Sequence, residues 1–582
     1  MFDRSSTLTA ALASSEARAV LDRHLPGVVS SPMLAQLGSL RLGQLLMMNP
    51  ATRDDESLAD ALWAELAEVT DGEEPRVYGA AIAPNPGYEA SGAPKATVSL
   101  PGPTPRWGVV EVVLDGPSHG NPFVEVELSA VFHHGDRSLE VGGFYDGDGR
   151  YLLRLLAEDE GEWSFETRST AASLDGLSGT VTVTAPAAGS HGPVRVDGFH
   201  FAHADGTRHR PLGTTAYAWT HQGDALEERT LAALADSPFT KIRMCVFPKS
   251  YLYNQNEPER FPFPGSLADG WDVERFDTEY YRHLEQRIRQ LGELGIEADL
   301  ILFHPYDRWG FADLGAAVDD RYLSYTVRRL SAFANVWWSM ANEYDLMWAK
   351  SVDDWERLAA VVGANDPHGH LNSIHNCLAF YDYSKPWITH ASTQRIDVYR
   401  TAENTDAWRE QWGKPVVIDE CAYEGDIDQG WGNVTGEELV RRFWEGAVRG
   451  GYVGHGETYL NDAEELWWSK GGELIGSSPA RIAFLESILA ESPTGTLDPL
   501  PSEWDVPWGG VAGEYLIGYF GFFRPRFRNV VLPPSGRFFV DVIDTWNMTV
   551  ERLPGLHEGL VRVDLPARQY MAIRVVAEGA SS

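Results

Sequence analysis

A chain of 582 residues exceeds what one hydrophobic core can organise, because single cores stop growing near ~250 to 300 residues, so three or four domains are expected. Its 84 Asp and Glu against 48 Lys and Arg leave a formal charge of −36, which repels phosphate backbones and anionic headgroups and argues against nucleic acid or membrane as partners. No apolar run approaches the ~20 residues of a spanning helix. The opening MFDRSSTLTAALASSEARAVLDRHLPG has no basic segment leading into an apolar stretch, so no secretion signal is read and a cytoplasmic location is expected. Cys245, Cys377 and Cys421 are too widely spaced for a metal site or a disulfide framework and are expected as reduced, buried thiols.

In residues 1–75 apolar residues fall at helical spacing (Leu8, Leu12, Val20, Leu21, Leu25, then Leu58, Leu62, Leu66), interrupted by Pro26, Pro32 and Pro50. This predicts a helical extension without a core of its own, packed on the rest of the chain or on a second subunit, so a homo-oligomer is possible. Residues 76–105, rich in Pro, Gly and Ala, read as a linker. From Trp107 the period becomes two, in WGVVEVVLDG, YLLRLLAE, EWSFETRS and GTVTVTAP, which predicts a β-sandwich over 106–190. Its GGFYDGDG stretch has the composition of a Ca²⁺ loop but reads more simply as a Gly/Asp hairpin turn.

Over 200–494 eight short apolar runs alternate with helical stretches: RPLGTTAYA (210–218), TKIRMCVFP (240–248), IEADLILFH (296–304), NVWWSMANE (335–343), HLNSIHN (370–376), WITHASTQ (387–394), KPVVIDECAY (414–423) and GYVGHGETYL (451–460). Eight βα units over this length predict an α/β fold, a (β/α)₈ TIM barrel with catalytic groups at the C-terminal strand ends. A doubly wound sheet is the alternative, but neither GxGxxG nor a P-loop supports it. Alternation returns in EYLIGYFG and RFFVDVIDTW, so 495–582 reads as a small C-terminal β-sandwich domain.

The strand-end residues of such a barrel are Arg243, His304, Asn342 with Glu343, His375 with Asn376, His390, Glu420 and Glu457. Glu343 and Glu420 each close an apolar run, on strands four and seven, which face each other across a barrel of eight. Two carboxyls in that relation suit retaining glycoside hydrolysis, one protonating the leaving oxygen while the other, ionised, attacks the anomeric carbon. Asn342 is suited to a sugar 2-hydroxyl. Of 20 Trp, fourteen fall between Trp219 and Trp468; indole faces stack on sugar rings, though each alone could equally be core. Tyr217, Trp219, Trp309 and Trp468 are candidate stacking residues, and His304 and His375 candidate sugar contacts. Neither HExxH nor GxSxG occurs, and no metal or cofactor is expected.

Asn-Glu ending strand four with Glu ending strand seven resembles clan A of the retaining glycoside hydrolases, which includes the cellulase-like family five. That resemblance implies Glu343 as acid/base and Glu420 as nucleophile, Arg243 as the strand-two arginine supporting the nucleophile, and His390 at the place of a strand-six His or Tyr. NPF (121–123), GGFYDGDGRYLLR (142–154), GEWSF (161–165), DGTRHRPLGTTAYAWTHQ (205–222), VDVIDTWNMTV and LPARQYMAIRV resemble bacterial glycosidases in which a β-sandwich precedes a cellulase-like or apiosidase-like barrel followed by a small β domain. The expected activity is exo-cleavage of small glycosides or oligosaccharides, with carbohydrate as the partner, walled by Tyr251, Tyr253 and Trp271 after strand two and Trp467 and Trp468 after strand eight. The alternatives are an endo-acting polysaccharide hydrolase or an inactive carbohydrate-binding protein.

Overall fold

The structure is a computed structural model that describes residues 2–4, 6–27, 29, 41–53, 55–70, 79–395, 400–502 and 504–579. Pro32 and the junction at 71–78 lie outside the described residues. No described helix is long and apolar enough to cross a membrane.

Eight parallel strands form a closed cycle: β1 (Gly213–Thr215), β2 (Lys241–Cys245), β3 (Glu297–Ile301), β4 (Val336–Ser339), β5 (Asn372–Ser373), β6 (Ala391–Gln394), β7 (Val416–Glu420) and β8 (Tyr452–Val453). β1 to β5 pair in order, as do β6 to β8; the parallel bridges His375–Ser392 and Thr214–His455 join the two arcs. Helices α1 (Asp224–Ala235), α2 (Thr278–Glu293), α3 (Ala316–Leu330) and α4 (Val352–Asn365) follow β1 to β4, and α5 (Thr405–Trp412), α6 (Gly436–Ala447) and α7 (Ser478–Ala490) follow β6 to β8. The β5–β6 connection has no helix; Pro386 and the Asp382–Ser384 turn interrupt it.

Local chemistry sets these elements. The Asp277 side chain accepts from the Glu279 and Tyr280 amides to start α2, whose Tyr281, Leu284, Ile288 and Leu291 face the barrel. Gly295, at φ 73°, supplies the left-handed turn that returns the chain to β3. Inside the barrel, period-two residues form layers. The lowest is apolar, with Trp337, Leu371, Val417 and Tyr452 sealed by Phe201 from the antiparallel strand His200–His203. Above it Lys241 bonds Asp299 and Asp419, at 2.7 Å each. Such a layer gains its charge balance only if every member is satisfied, and Ser392 completes Asp419 at 2.5 Å.

The N-terminal sandwich packs a four-stranded on a five-stranded sheet, with Val110, Val112 and Leu114 meeting Phe132, Trp163, Phe165 and Val181 in the core. The expected linker is shorter than its composition suggests, because Thr97–Ser99 and Thr104–Pro105 pair as strands of these sheets. GGFYDGDG is a hairpin turn whose Asp146 binds Arg282 at 3.0 Å and Arg329 at 2.8 Å, on α2 and α3. The N-terminal helices do have a core of their own, in which Phe2, Leu8, Leu21, Leu42, Leu62 and Leu66 are buried, and they also lean on the barrel at Trp348. In the C-terminal region a six-stranded sheet and an antiparallel pair, Phe527–Val531 with Leu560–Asp564, enclose Phe538, Val540 and Ile573, while Tyr519 stacks on Trp444 of α6 at 5.6 Å. Cys245 and Cys421 are buried thiols as expected, but Cys377 is only half-buried.

Candidate active site

Glu420 is the last residue of β7. Its Oε1 accepts the Tyr217 hydroxyl and lies 3.5 Å from Arg243 Nη1 and 3.4 Å from His375 Nε2. Burial works to raise this carboxyl, but the His375 contact, the Arg243 charge and the Tyr217 hydroxyl outweigh it and hold it at about 2. Burial and Arg243 in turn keep His375 below its ordinary value. Ser392 gives its one hydrogen to Asp419 and so accepts from His375 Nδ1, 3.1 Å away. Arg243, always charged, is the partner whose charge on Glu420 does not depend on pH.

Glu343 follows β4 in a left-handed conformation, φ 51°, at the start of the short helix Tyr344–Leu346. A non-glycine residue there costs on the order of 1 kcal/mol and persists where the surroundings over-determine it, commonly at functional sites. Tyr306 donates to its Oε2 and Gln394 Nε2 to its Oε1 at 2.8 Å. Burial first and the Glu420 charge second raise this carboxyl to about 7, against the Tyr306 bond, the Lys249 charge and the Gln394 bond. One carboxyl is thus protonated near neutrality beside another that is ionised, the division of states that acid and nucleophile require.

Asn342 joins the two halves. Arg243 Nη2 donates to its Oδ1 at 3.2 Å, and the Tyr217 hydroxyl lies equally far from that oxygen. Its amide NH₂ has no partner among the described residues and is left to donate to a substrate oxygen. The aromatic wall is Tyr217, Tyr251, Tyr306, Tyr423 and Trp468, one buried cluster with Cys245 and Ile301; Trp431 packs 4.7 Å from Trp468. The segments after β2 and β8 meet there, with Ser469 Oγ 3.4 Å from the Tyr253 carbonyl. The Lys249 ammonium lies 3.4 Å from the ring centre of Tyr217, 4.5 Å from Tyr306 and 4.7 Å from Trp468.

Glu343, Glu420, Arg243, Asn342, His375, Tyr217 and Trp468 therefore come together, and the other expected residues do not. His390 precedes β6 and packs on Phe201 and Trp337, 5.7 and 5.3 Å away, at the opposite end of the barrel. His304 turns its Nε2 to the Phe247 carbonyl at 3.1 Å. Trp219 is sealed in the main core. Trp309 is bonded to Glu257 at 3.0 Å and stacked among Phe261 and Phe311. Trp271 and Trp467, expected in the substrate wall, donate instead to the Trp309 carbonyl and to Thr214 Oγ1, at 2.9 Å each. Glu457 lies in a separate strand pair and accepts the Ile475 and Gly476 amides, at 2.6 and 2.9 Å. Tyr306, Gln394 and Lys249 were missed; Gln394 could have been found as the final residue of WITHASTQ. Asp224, Glu227 and His283 cluster between α1 and α2, but the Arg287 guanidinium sits among them, 2.7 Å from Glu227 and 3.6 Å from Asp224, and supplies the positive charge a metal would.

Fold and site together define a glycosidase-type barrel with one carboxyl just beyond β4 and another at the end of β7. Residues 196–472 match the family described as "Apiosidase-like, catalytic domain"; 103–170 and 504–576 match two domains of unknown function, DUF5060 and DUF5605. A candidate glycoside hydrolase from Bacteroides vulgatus ATCC 8482 is 38% identical with a TM-score of 0.78, over 82% of this chain and 100% of that one. The chain belongs to the same family, glycoside hydrolase-like proteins with an apiosidase-like catalytic domain. A glycoside hydrolase family 5 protein from the same organism shares the fold at 15% identity, with a TM-score of 0.54 over 67% of this chain and 95% of that one. No curated protein matches this chain.

Proposed function

We propose that this protein is a retaining glycoside hydrolase, acting by double displacement on small glycosides or oligosaccharides. The observation that carries the reading is the opposed state of the two carboxyls, Glu420 held at about 2 and Glu343 raised to about 7. In the first step Glu420 attacks the anomeric carbon while Glu343 gives its proton to the departing oxygen. In the second, Glu343, now ionised, takes a proton from water, which attacks the same carbon and frees Glu420. Asn342 directs its free NH₂ to the hydroxyl beside that carbon, and Tyr217 follows the charge on Glu420 as it is lost and regained. An exo-acting site is supported by the contact between the segments after β2 and β8, which walls one side of the aromatic cluster.

Glu420→Ala should abolish turnover of an activated aryl glycoside, and azide should restore it with an anomerically inverted glycosyl azide as product. Glu343→Ala should impair poor leaving groups far more than activated ones, since only the former need protonation. Full activity in Glu420→Ala overturns the assignment. Release of internal oligomers from a polysaccharide, with little action on disaccharides, overturns the exo reading.

A further inference from the structure

Of the two cations beside Glu420, Arg243 is engaged with Glu420, Asp299 and Asn342, but Lys249 is not. It is 5% exposed, and among the described residues its ammonium has neither a carboxylate within salt-bridge distance nor a hydrogen-bond acceptor. The faces of Tyr217, Tyr306 and Trp468 lie 3.4, 4.5 and 4.7 Å away. Ring faces stabilise a cation but leave its three N–H donors without oxygen partners. The placement is fixed rather than accidental: Asn254 donates to the Lys249 carbonyl at 2.7 Å, and the next amide, Ser250, donates to the Tyr306 carbonyl at 2.9 Å. The ammonium's nearest counter-charges, Glu420 and Glu343, act on it only from beyond salt-bridge distance, so its donors are left for the oxygens of an anion delivered to them.

We propose that Lys249 receives the carboxylate of an acidic sugar, so that the substrates are glycosides of a uronic acid. This deepens the glycosidase reading above and rests on it. The site divides accordingly: the Asn342 amide serves a neutral hydroxyl, the two Glu serve the anomeric carbon, and Lys249, over the rings of Tyr217 and Tyr306 whose hydroxyls bond those two Glu, serves the charged substituent. Burial holds the free ammonium down to about 8, and an incoming carboxylate restores it towards its ordinary value. The negative surface does not exclude such a ligand, since charges more than ~8 Å away are screened at physiological ionic strength while a buried contact is not.

The test uses the full chain and matched nitrophenyl pairs, glucuronide against glucoside and galacturonide against galactoside, with Lys249→Met as the shape-conserving variant. The wild type should favour the uronoside of at least one pair by about 10⁴-fold or more in kcat/KM, the scale on which a site built for a polar group rejects an analogue that lacks it, and Lys249→Met should collapse that ratio. Cleavage of the neutral member with no preference for the uronoside overturns the proposal. If no glycoside is cleaved, the glycosidase reading has failed, and titration calorimetry with free glucuronate and galacturonate against glucose and galactose still decides. Uronate binding that exceeds neutral-sugar binding and is lost in Lys249→Met supports it. Uronate binding no stronger than that of the neutral sugar, or absent, overturns it, and that comparison needs only the wild type.

Discussion

Tyr306→Phe removes one oxygen and leaves the ring, which packs 4.4 Å from Tyr251. The lost hydroxyl donates to Glu343 Oε2, and it favours the ionised carboxylate, so its removal must raise the carboxyl further. A hydrogen bond to a charged group contributes ~1.5–3 kcal/mol, and one unit of pKa corresponds to ~1.4 kcal/mol, which bounds the shift at ~1–2 units. Gln394 and Lys249 still favour the ionised form, which places the shift near the lower bound. In the wild type the alkaline limb of kcat/KM should follow loss of the Glu343 proton at about 7. In the variant it should move up by ~1 unit, to where Lys249 also titrates, at about 8. The assay is kcat/KM against pH on the best-cleaved nitrophenyl glycoside, with infrared titration of the protonated carboxyl as a substrate-free readout. A limb that stays in place or moves down refutes the assignment of Glu343 as the proton donor governed by Tyr306.

Stability should be greatest near pH 6. Burial keeps His221, His304, His368 and His455 at about 3 and His390 at about 4, so only the unfolded chain takes up their protons below ~6.5, and stability is lost as pH falls. Burial raises Glu297 to about 8 and Glu343 and Glu457 to about 7; the native state keeps protons the unfolded chain has released, so stability falls as pH rises from ~4.5 towards those values. Above ~6.5 the carboxyls dominate, each costing ~1.4 kcal/mol per pH unit until it ionises, and Lys249, held down to about 8, opposes them only as pH nears that value; a Tm that is flat or rising between pH ~6.5 and ~7.5, or a Glu297→Gln variant with the same slope as wild type, contradicts this. Arg154 bonds Glu285 at 2.7 Å and the Arg329 carbonyl at 2.8 Å and is 3% exposed, tying the sandwich to the barrel. Arg154→Met should cost ~3 kcal/mol or more in denaturant unfolding by leaving buried groups unpaired, and a loss under ~1 kcal/mol would show the tie to be dispensable. A Cβ on Gly43 would lie 2.7 Å from Trp348 Cγ, so Gly43→Val should lift the N-terminal helices off the barrel. Faster proteolysis near residues 41–70 and a red shift in Trp emission are expected; wild-type protection speaks against the contact.

The sequence by itself determined the order of elements, because the change of period from 3.6 to two and back to βα units is a local property of the chain. It also singled out Glu343 and Glu420 as the candidate pair, because each closes an apolar run, and both runs are buried strands in the structure. Strand ends were less secure. WITHASTQ contains both His390 and Gln394, and only the pairing of Ala391–Gln394 with β7 shows which end faces Glu343. GYVGHGETYL likewise suggested Glu457 at a strand end, but β8 stops at Val453, and the carboxyl is occupied by backbone amides from a segment that begins some twenty residues later. Tryptophan content could not separate Trp468, in the aromatic wall, from Trp219 and Trp309, sealed in the core, since indole suits both places. Tyr306 and Lys249 lie in irregular segments beyond β3 and β2, whose paths no periodicity encodes. Their positions are fixed by contacts between segments distant in sequence, such as Ser250 with Tyr306. The raised carboxyl of Glu343 and the lowered one of Glu420 follow from those contacts and from burial, which only the tertiary structure decides.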